Sequence, residues 1–349
     1  MAHIVVVGAG MMGSAACVPL VDRGHNVRLV GSPLDRDIVA SLRSTRTHPT
    51  LRARLPEPLQ VFTADELPEA LSGADAIVLG VSSLGIEWAA GALAEPLALS
   101  PCPVALLSKG LELDGSGLRV LTEVVSARLF EPSRVVCQPV SICGPCIAGE
   151  LVRRVQTLAV FTGSDLELVR CFAAWFETPY YRPRVVADHR GAQLCAALKN
   201  AYAMGVGFAS GLHERAGGER GSVAMHNYEA AVFAQAASEM GRWALALGGT
   251  ADTALGLAGV GDLNVTCNGG RTGRFGALLG FGHPLAEAIR RMGGATLECL
   301  EILEVCDRFL RGPDSGVLRP SELPLLCHLI EVGLRGVPVA VPFEDFFRA

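Results

Sequence analysis

The stretch from His3 to Gly13 constrains the fold of this chain more than any other. It begins with the apolar, β-branched run His3–Val7, which is typical of a buried strand. Gly8-Ala9-Gly10-Met11-Met12-Gly13 follows at once and has the spacing G-x-G-x-x-G. Ser14–Asp22 then has the pattern of a helix, closed by Arg23-Gly24. Strand, glycine loop and helix in this order predict the first unit of a dinucleotide-binding fold.

Each glycine of this loop has a physical role in such a fold. Gly8 permits the tight turn, Gly10 lets the backbone approach a pyrophosphate, and Gly13 lets helix and strand pack closely. The amides and the dipole at the start of the predicted helix attract the phosphate charge. The alternative is a loop whose glycines serve packing alone.

Length and composition set the remaining bounds. A chain of 349 residues is expected to form two domains, and a hydrophobic content of 50% with a mean hydropathy of +0.36 predicts large cores and a buried homodimer interface. The net charge of -5, from 30 basic and 35 acidic residues that are well mixed, argues against a nucleic-acid partner. No apolar run is long enough for a membrane span. The early first strand leaves no room for a signal peptide, and 11 scattered cysteines suit a reducing compartment, so we expect a cytoplasmic protein.

Alternating strand and helix patterns fill the first half of the chain and predict a parallel, doubly wound sheet. From about Ala187 onward the patterns are almost entirely helical. We therefore predict an α/β fold with a Rossmann-type dinucleotide-binding domain over residues 1–186 and an all-helical substrate-binding domain over residues 187–349. The predicted strands after the first are Asn26–Val30, Gln60–Phe62, Ala76–Val81, Pro103–Leu107, Arg134–Ile142, Thr157–Phe161 and Tyr180–Val185. The predicted helices of the second domain are Gly191–Ser210, Val223–Leu247, Pro284–Met292, Thr296–Leu310 and Leu323–Gly333.

The end of the second strand bears on the choice of cofactor. A carboxylate there would bind the adenosine ribose of NAD, but the chain continues with Gly31-Ser32-Pro33. Asp35 is close without being in the expected place. Ser32 and Arg36 are suited to a 2′-phosphate, so NADP is favoured while NAD stays open. The alternative is an ordinary polar loop.

Cys143-Gly144-Pro145-Cys146 has the C-x-x-C spacing of a thioredoxin-like redox pair. In thioredoxin domains that motif lies near the N-terminus, whereas here it follows a complete dinucleotide-binding unit. We therefore predict a Gly-Pro turn at the edge of the cofactor crevice. Apart from this motif the cysteines and histidines show no zinc-like spacing, so no metal is expected.

Two lysines are placed for chemistry. Lys109 follows a predicted buried strand, where a side chain projects into the ligand crevice of an open sheet. Lys199 interrupts an otherwise apolar helix, and a buried ammonium is costly unless it is paired. Burial also makes a lysine a better base. The alternative for each is a surface lysine whose stem lies on apolar residues.

The glycine-rich segment Gly259–Gly280 contains a third polar cluster. Asp262 precedes Thr266, and Arg271-Thr272 follows. An arginine in a glycine-rich turn suits bidentate binding of a phosphate or carboxylate. The alternative is a surface loop.

Together these stretches resemble the NAD(P)-dependent glycerol-3-phosphate dehydrogenase family over nearly the whole chain. The opening, with Val18–Asp22 and later Thr47-His48-Pro49, is most similar to archaeal-type members. The motifs that carry the resemblance are, in chain order, Gly8–Gly13, Ser108–Leu111, Gly144–Glu150, Ala197–Asn200, Gly261–Leu263 with Thr266-Cys267, and Gly270-Arg271 with Phe275-Gly276.

The resemblance implies an oxidoreductase that interconverts dihydroxyacetone phosphate and sn-glycerol 3-phosphate by hydride transfer with NAD(P)H. It implies that Lys199 is the general base and that Lys109 and Asp262 complete the polar site. The residues implied to hold the substrate are Asn200, Thr266, Arg271 and Thr272. The residues that the resemblance implies to contact the cofactor are Gly8, Gly10, Gly13, Ala148 and Glu298. The glycine loop and the loop after the second strand add Met11, Met12, Ser32 and Arg36 to the predicted cofactor contacts.

Three positions depart from the family pattern. Arg271-Thr272 stands where the family commonly has Arg-Asn, Glu298-Cys299 where it has Glu-Gly, and Gly149 where a basic residue is common. These departures leave open a dehydrogenase for a related polyol phosphate or hydroxy acid. A catalytically silent, NAD(P)-sensing protein is a further alternative, and the presence of both lysines with Asp262 counts against it.

Overall fold

The computed structural model describes residues 1–115, 117–129, 138–219, 225–268, 270–312 and 316–347. The chain forms two compact units. The first contains Met1–Lys109 and Leu121–His189, and the second contains Gly110–Val120 and Arg190–Ala349. In the described part of the chain no helix is both long enough and apolar enough to cross a lipid bilayer.

An eight-stranded sheet forms the centre of the first unit, and two short hairpins, β3–β4 and β8–β9, lie outside it. The strands are β1 (His3–Val7), β2 (Asn26–Val30), β3 (Thr47–His48), β4 (Ala53–Arg54), β5 (Gln60–Phe62), β6 (Ala76–Leu79), β7 (Val104–Leu106), β8 (Leu111–Asp114), β9 (Gly117–Val120), β10 (Val140–Cys143), β11 (Thr157–Thr162) and β12 (Tyr181–Val186). The predicted strand pattern is confirmed, although residues 134–137 of one predicted strand lie outside the described residues.

The strand order of the sheet is β12-β11-β10-β7-β6-β1-β2-β5. Among the described strands every neighbouring pair of this sheet is parallel except β10 and β11, which run antiparallel. The predicted parallel, doubly wound sheet is confirmed except at this pair, because the residue pattern of an apolar strand does not indicate its direction. The order reverses between β1 and β6, which places the expected ligand crevice at their carboxyl ends.

Helices cover both faces of this sheet, which is why its strands are apolar on both sides. Ile4, Val5, Val6 and Val7 of β1 are all fully buried. The helices are α1 (Met11–Asp22), α2 (Arg36–Thr45), α3 (Leu67–Leu71), α4 (Ile86–Leu99), α5 (Leu121–Leu129), α6 (Ala148–Leu151) and α7 (Leu166–Phe176), with short 3₁₀ turns at Ala64–Glu66 and Ser83–Gly85.

The second unit is helical apart from the β8–β9 hairpin, as the sequence predicts. Its longest helix, α8, begins at His189 and is buried along most of its length. The helices are α8 (His189–Arg215), α9 (His226–Ala246), α10 (Ala251–Leu255), α11 (Asp262–Cys267), α12 (Arg271–Phe281), α13 (Leu285–Arg291), α14 (Glu298–Arg311) and α15 (Pro324–Arg335), with 3₁₀ turns at Pro320–Glu322 and Phe343–Asp345. Residues 223–224 of one predicted helix lie outside the described residues.

The β8–β9 hairpin belongs to the helical unit. Leu111, Leu118 and Val120 are buried in its core. A single predicted boundary at residue 187 leaves these residues in the first domain, because it makes each domain one continuous stretch. The sequence Asp114-Gly115 followed closely by Gly117, between two alternating segments, is a pattern typical of a hairpin.

Helices α8 and α12 approach each other through glycines. A Cβ added at Gly276 would lie 2.1 Å from the Met204 carbonyl oxygen, and one at Gly207 would lie 2.4 Å from the Gly273 carbonyl oxygen. Such distances exclude any side chain, so glycine is required on both helices. The interpretation of the glycine-rich segment around Arg271 as a turn or surface loop is wrong. This part of the segment forms α12, and its glycines allow the helix to pack closely against α8. The crossing fixes the first turn of α12 relative to α8.

Candidate active site

Lys199 and Asp262 form a buried ion pair in the helical unit. Lys199 lies in the middle of α8, an alanine-rich helix, and its side chain is only 8% exposed. Asp262 is the first residue of α11, and its side chain is 1% exposed. The Lys199 Nζ donates to the Asp262 Oδ1. Each charge therefore has the partner that burial demands.

An unusual backbone element presents Asp262 to Lys199. Leu257–Gly261 forms a π-helical turn that leads directly into α11. A Cβ at Gly259 would lie 2.0 Å from the Ala254 carbonyl oxygen, so only glycine fits this turn. Turns of this kind are rare and occur frequently at functional sites. Thr266, one turn further along α11, donates its hydroxyl to the Asp262 carbonyl oxygen at 2.7 Å.

Glu298 joins two of the predicted substrate-binding residues. The Asn200 side-chain amide donates to the Glu298 Oε2 at 2.9 Å, and the Arg271 Nη2 lies 4.0 Å from the Glu298 Oε1. Asn200 follows Lys199 on α8, and Arg271 begins α12. The Arg271 side chain is 41% exposed, and its loose contact with Glu298 leaves donors for an anionic ligand. The resemblance assigned Glu298 to the cofactor, and sequence reasoning missed its contact with Asn200 and Arg271.

Thr272 is directed into the protein. It is buried, and its hydroxyl lies close to the buried thiol of Cys299. Burial raises the pKa of Cys299 to about 12, and the Thr272 hydroxyl opposes that rise. The thiol is therefore protonated at ordinary pH. The two departures from the family pattern at positions 272 and 299 are thus in contact with each other.

The glycine loop of the first unit has the geometry that a pyrophosphate requires. Gly8 has a φ of +108°, and a Cβ at Gly13 would lie 2.1 Å from the Gly8 carbonyl oxygen. A Cβ at Gly10 would meet no protein atom within 4 Å. Packing therefore explains the glycines at 8 and 13, whereas Gly10 borders open space at the N-terminus of the 12-residue helix α1. Met11, which is partly exposed, and Met12 follow it in the first turn, so this cradle fits the phosphates of a dinucleotide.

A cavity of about 500 Å³ opens beside the end of β2. Its lining includes Ser32 and Arg36, the two residues predicted to meet a 2′-phosphate, together with Arg43 and Thr63. Arg43 is engaged by the Glu66 carboxylate, and Arg36 is exposed at the start of α2. The cavity therefore presents the Arg36 guanidinium to an adenosine group, while the Ser32 hydroxyl donates to Asp35 at 2.7 Å and Asp65 adds a carboxylate to the lining.

Lys109 and Ala148 lie in the first unit. Lys109 follows β7, and its Nζ donates to the Gly144 carbonyl oxygen at 3.4 Å. That carbonyl belongs to the Gly-Pro turn after β10, and Gly144 has a φ of +93°. Ala148 is buried at the start of α6. Lys109 and Lys199 therefore belong to different units of the chain.

The similarity to known proteins agrees with this geometry. Residues 3–169 match the family described as NAD-dependent glycerol-3-phosphate dehydrogenase N-terminus, and residues 188–341 match the family described as its C-terminus. The chain belongs to this family. An NADP(+)-dependent glycerol-3-phosphate dehydrogenase of Archaeoglobus fulgidus is 35% identical over 288 residues, 82% of each chain. A glycerol-3-phosphate dehydrogenase [NAD(P)+] of Koribacter versatilis is 34% identical, covering 85% of this chain and 84% of its own.

Solved structures have the same fold. The crystal structure of the glycerol-3-phosphate dehydrogenase of Coxiella burnetii superposes with a TM-score of 0.80 at 26% identity, covering 96% of this chain and 95% of that chain. The enzyme of Plasmodium falciparum superposes with a TM-score of 0.82 at 16% identity, covering 99% of this chain and 95% of that chain. At this identity the similarity shows the fold alone. A Rossmann-type first domain with a helical second domain is thereby confirmed, as is the resemblance stated from the motifs.

Proposed function

We propose that this glycerol-3-phosphate dehydrogenase works in the cytoplasm, reduces dihydroxyacetone phosphate, and favours NADPH over NADH. Its family membership gives the reaction class, the interconversion of dihydroxyacetone phosphate and sn-glycerol 3-phosphate by an NAD(P)-dependent oxidoreductase. When bound, the reduced cofactor supplies the hydride. The observation that carries the proposal is the buried Lys199–Asp262 pair, since this reaction needs one proton for each hydride.

Lys199 is the residue we assign to that proton. In the pair with Asp262 it is an ammonium, which is the form that gives a proton to an alkoxide as the carbonyl is reduced. In the oxidation direction the same nitrogen takes the hydroxyl proton. Lys109 and Lys199 are the only lysines in the sequence, and its arginines do not give up a proton at ordinary pH. We assign Lys109 to the polar surroundings of the reacting carbon.

Arg271, Asn200 and Thr266 are the residues we assign to the substrate. Arg271 begins an 11-residue helix, so unpaired amides and the positive end of the helix dipole add to its own charge. Glu298 orients Asn200 and Arg271, and a phosphate held there would replace the loose Arg271–Glu298 contact. We assign Thr272 the support of this turn through Cys299, in place of the substrate contact expected from the sequence.

The cofactor assignment rests on the first unit. Gly8, Gly10 and Gly13 with the first turn of α1 would hold the pyrophosphate. Arg36 lines the cavity next to the end of β2, where a 2′-phosphate would meet its guanidinium, while the neighbouring Ser32 hydroxyl already donates to Asp35. A relative of this chain is named as NADP(+)-dependent, in agreement with that preference.

A spectrophotometric assay tests the proposal. The loss of NADPH or NADH absorbance would be followed with dihydroxyacetone phosphate, dihydroxyacetone and an unphosphorylated keto acid. We expect kcat/KM for dihydroxyacetone phosphate to exceed that for dihydroxyacetone by at least ~10²-fold, because several charge-assisted bonds to the phosphate are lost. Equal turnover of an unphosphorylated substrate would contradict the substrate assignment. A tenfold preference for NADH would contradict the cofactor assignment alone.

A further inference from the structure

Two residues that follow the second strand in sequence, Asp35 and His48, contact the backbone of the glycine loop. The Ala9 N–H donates to the Asp35 Oδ2 at 3.1 Å. The Ala9 carbonyl oxygen lies 3.1 Å from the His48 Nε2 and accepts from the Ser14 hydroxyl at 2.9 Å. Ala9 is fully buried between Gly8 and Gly10, so its backbone groups need these partners. The two peptide units around Ala9 are therefore fixed by contacts outside the loop itself.

The Asp35 carboxylate accepts further hydrogen bonds besides the one from Ala9. The same Oδ2 atom also accepts from the Ser32 N–H at 2.8 Å and from the Ser32 hydroxyl at 2.7 Å. In NAD-binding folds a carboxylate after the second strand instead binds the ribose hydroxyls. Here the neighbouring cavity is lined by Ser32 and Arg36, while the Asp35 carboxylate is directed at the glycine loop.

His48 completes the arrangement from β3. It is fully buried, and its Nδ1 accepts from the backbone N–H groups of Thr50 and Leu51, each at 3.2 Å. The proton is therefore on Nε2, which donates to the Ala9 carbonyl oxygen. Burial lowers the pKa of His48, in keeping with a neutral ring. The Thr47-His48-Pro49 motif thus has a structural use that the reaction itself does not explain.

We propose that Asp35 and His48 are positioning residues that hold the glycine loop ready for the pyrophosphate without touching the cofactor. If the glycine loop has its binding-competent conformation for only a fraction of the time, its apparent affinity for any ligand is reduced by that fraction. Loss of either residue therefore weakens NADPH and NADH by the same factor and leaves kcat at saturation nearly unchanged. The inference rests on the proposed function only in requiring that the chain bind NAD(P)H, not in which form it prefers.

Direct binding to four variants and one control tests the inference. The dissociation constants of NADPH and NADH would be measured by nucleotide fluorescence without substrate, for Asp35→Ala, Asp35→Asn, His48→Leu and His48→Gln. Asparagine offers one oxygen in the place of Oδ2, and glutamine offers an N–H in the place of Nε2. Asp37→Asn is the matched control, since Asp37 is an exposed acid in the first turn of the same helix α2.

We expect Asp35→Ala and His48→Leu to raise both dissociation constants by roughly 5- to 30-fold, with the NADPH/NADH ratio unchanged. Asp35→Asn and His48→Gln should recover most of the affinity, and Asp37→Asn should change neither constant. Amide exchange adds a readout on the loop itself, since the Ala9 N–H should lose protection in Asp35→Ala.

Three outcomes would overturn the inference. One is a loss of NADH affinity alone in Asp35→Ala, which would make Asp35 a ribose ligand. The others are unchanged binding in both Asp35→Ala and His48→Leu, or conservative variants as weak as the truncations. Failure of the wild-type chain to bind either nucleotide would instead contradict the proposed function.

Discussion

At the scale of single residues, Thr272 and Cys299 form a contact that ties together two helix starts. Thr272 lies in the first turn of α12 and Cys299 in the first turn of α14, next to Arg271 and Glu298. Both are buried, and the Thr272 hydroxyl lies close enough to the Cys299 thiol to oppose the rise in its pKa. An asparagine at 272 needs more room, and a glycine at 299 would provide it. The two positions should therefore depend on each other energetically.

A double-mutant cycle tests this dependence. Thr272→Asn alone should destabilise the fold by about 1–3 kcal/mol through overpacking, and Cys299→Gly alone by about 1–2 kcal/mol through lost contacts and helix propensity. The double variant should be at least about 1 kcal/mol more stable than the sum of the two effects predicts. Urea unfolding supplies these free energies. Thr272→Asn with Cys306→Gly, a buried cysteine two turns further along α14, is the additive control. Simple additivity at 272 and 299 would rule the coupling out.

Lys199 carries a second prediction at this scale. Lys199→Met should lower kcat by roughly 10²- to 10⁴-fold, the range for loss of a general acid–base, while the NADPH dissociation constant stays within about twofold. The substitution also removes the cationic partner of the buried Asp262 carboxylate, which costs about 3–5 kcal/mol.

The double variant Lys199→Met with Asp262→Asn distinguishes a loss of catalysis from a loss of stability. The double variant should recover stability, as measured by urea unfolding, and remain inactive. Recovery of turnover in the double variant would show that Lys199 serves folding alone. Lys109→Met should resemble Lys199→Met in kcat and lack the stability loss.

At the scale of elements, one buried carboxylate connects three helices of the second unit. The Glu239 oxygens on α9 accept from the Tyr202 hydroxyl on α8 at 3.0 Å and from the Leu325 and Leu326 N–H groups at 2.8 and 2.9 Å. The two amides belong to the first turn of α15, so Glu239 satisfies donors that a helix start leaves unpaired. Gln235 adds a fourth donor at 2.8 Å. Tyr202 lies one turn from Lys199, so this network also anchors α8, the helix that carries Lys199.

The same carboxylate makes stability depend on pH. Burial raises the pKa of Glu239 to about 7 from an ordinary value of 4.5. The folded state then holds this proton more tightly than the unfolded state, so the Glu239 contribution is full below pH 4.5 and is lost as pH rises towards 7. We expect the stability of wild type relative to Glu239→Gln to fall by roughly 2–3 kcal/mol between pH 5 and pH 8.

Urea unfolding of both proteins across this pH range measures their free energies of unfolding. The difference between the two proteins cancels the contributions of the buried histidines, which change with pH in the opposite direction. Glu304→Gln, at an exposed position of α14, should show no pH-dependent difference from wild type. A constant difference between wild type and Glu239→Gln would mean that the four donors keep the carboxylate ionised throughout.

Element identity was largely predictable from the sequence, and element partners were not. β2 and β5 have their predicted bounds, because apolar runs flanked by turn residues identify buried strands. The antiparallel β11 and the glycine crossing of α8 with α12 escaped prediction, because both depend on segments distant in sequence. For the same reason the residue patterns identified Lys199 and Asp262 separately, and only the family resemblance placed them in one site. Neither the patterns nor the resemblance paired Asn200 with Glu298.

At the scale of the whole molecule, the second unit carries apolar side chains on its surface. Leu245, Leu255, Val317 and Phe347 are each at least half exposed, and Leu255 reaches 67%. Together with the high overall hydrophobic content, they support the expectation of a homodimer that buries helical surface. Light scattering should give a mass near 73 kDa, about twice the 36.6 kDa of one chain, at micromolar concentration. A mass of one chain would reject the dimer and leave the catalytic assignments intact.

We propose that two residues of the helical unit have different roles: Lys199 moves the proton and Arg271 holds the phosphate. The most direct test compares Arg271→Ala with wild type on dihydroxyacetone phosphate and on dihydroxyacetone. Loss of charge-assisted bonds costs about 1.5–3 kcal/mol, so we predict that KM for the phosphorylated substrate rises by roughly 10- to 100-fold. Turnover of dihydroxyacetone, measured as kcat/KM, should change by less than about threefold. An equal loss on both substrates would contradict the division of tasks and favour a dehydrogenase for an unphosphorylated hydroxy acid.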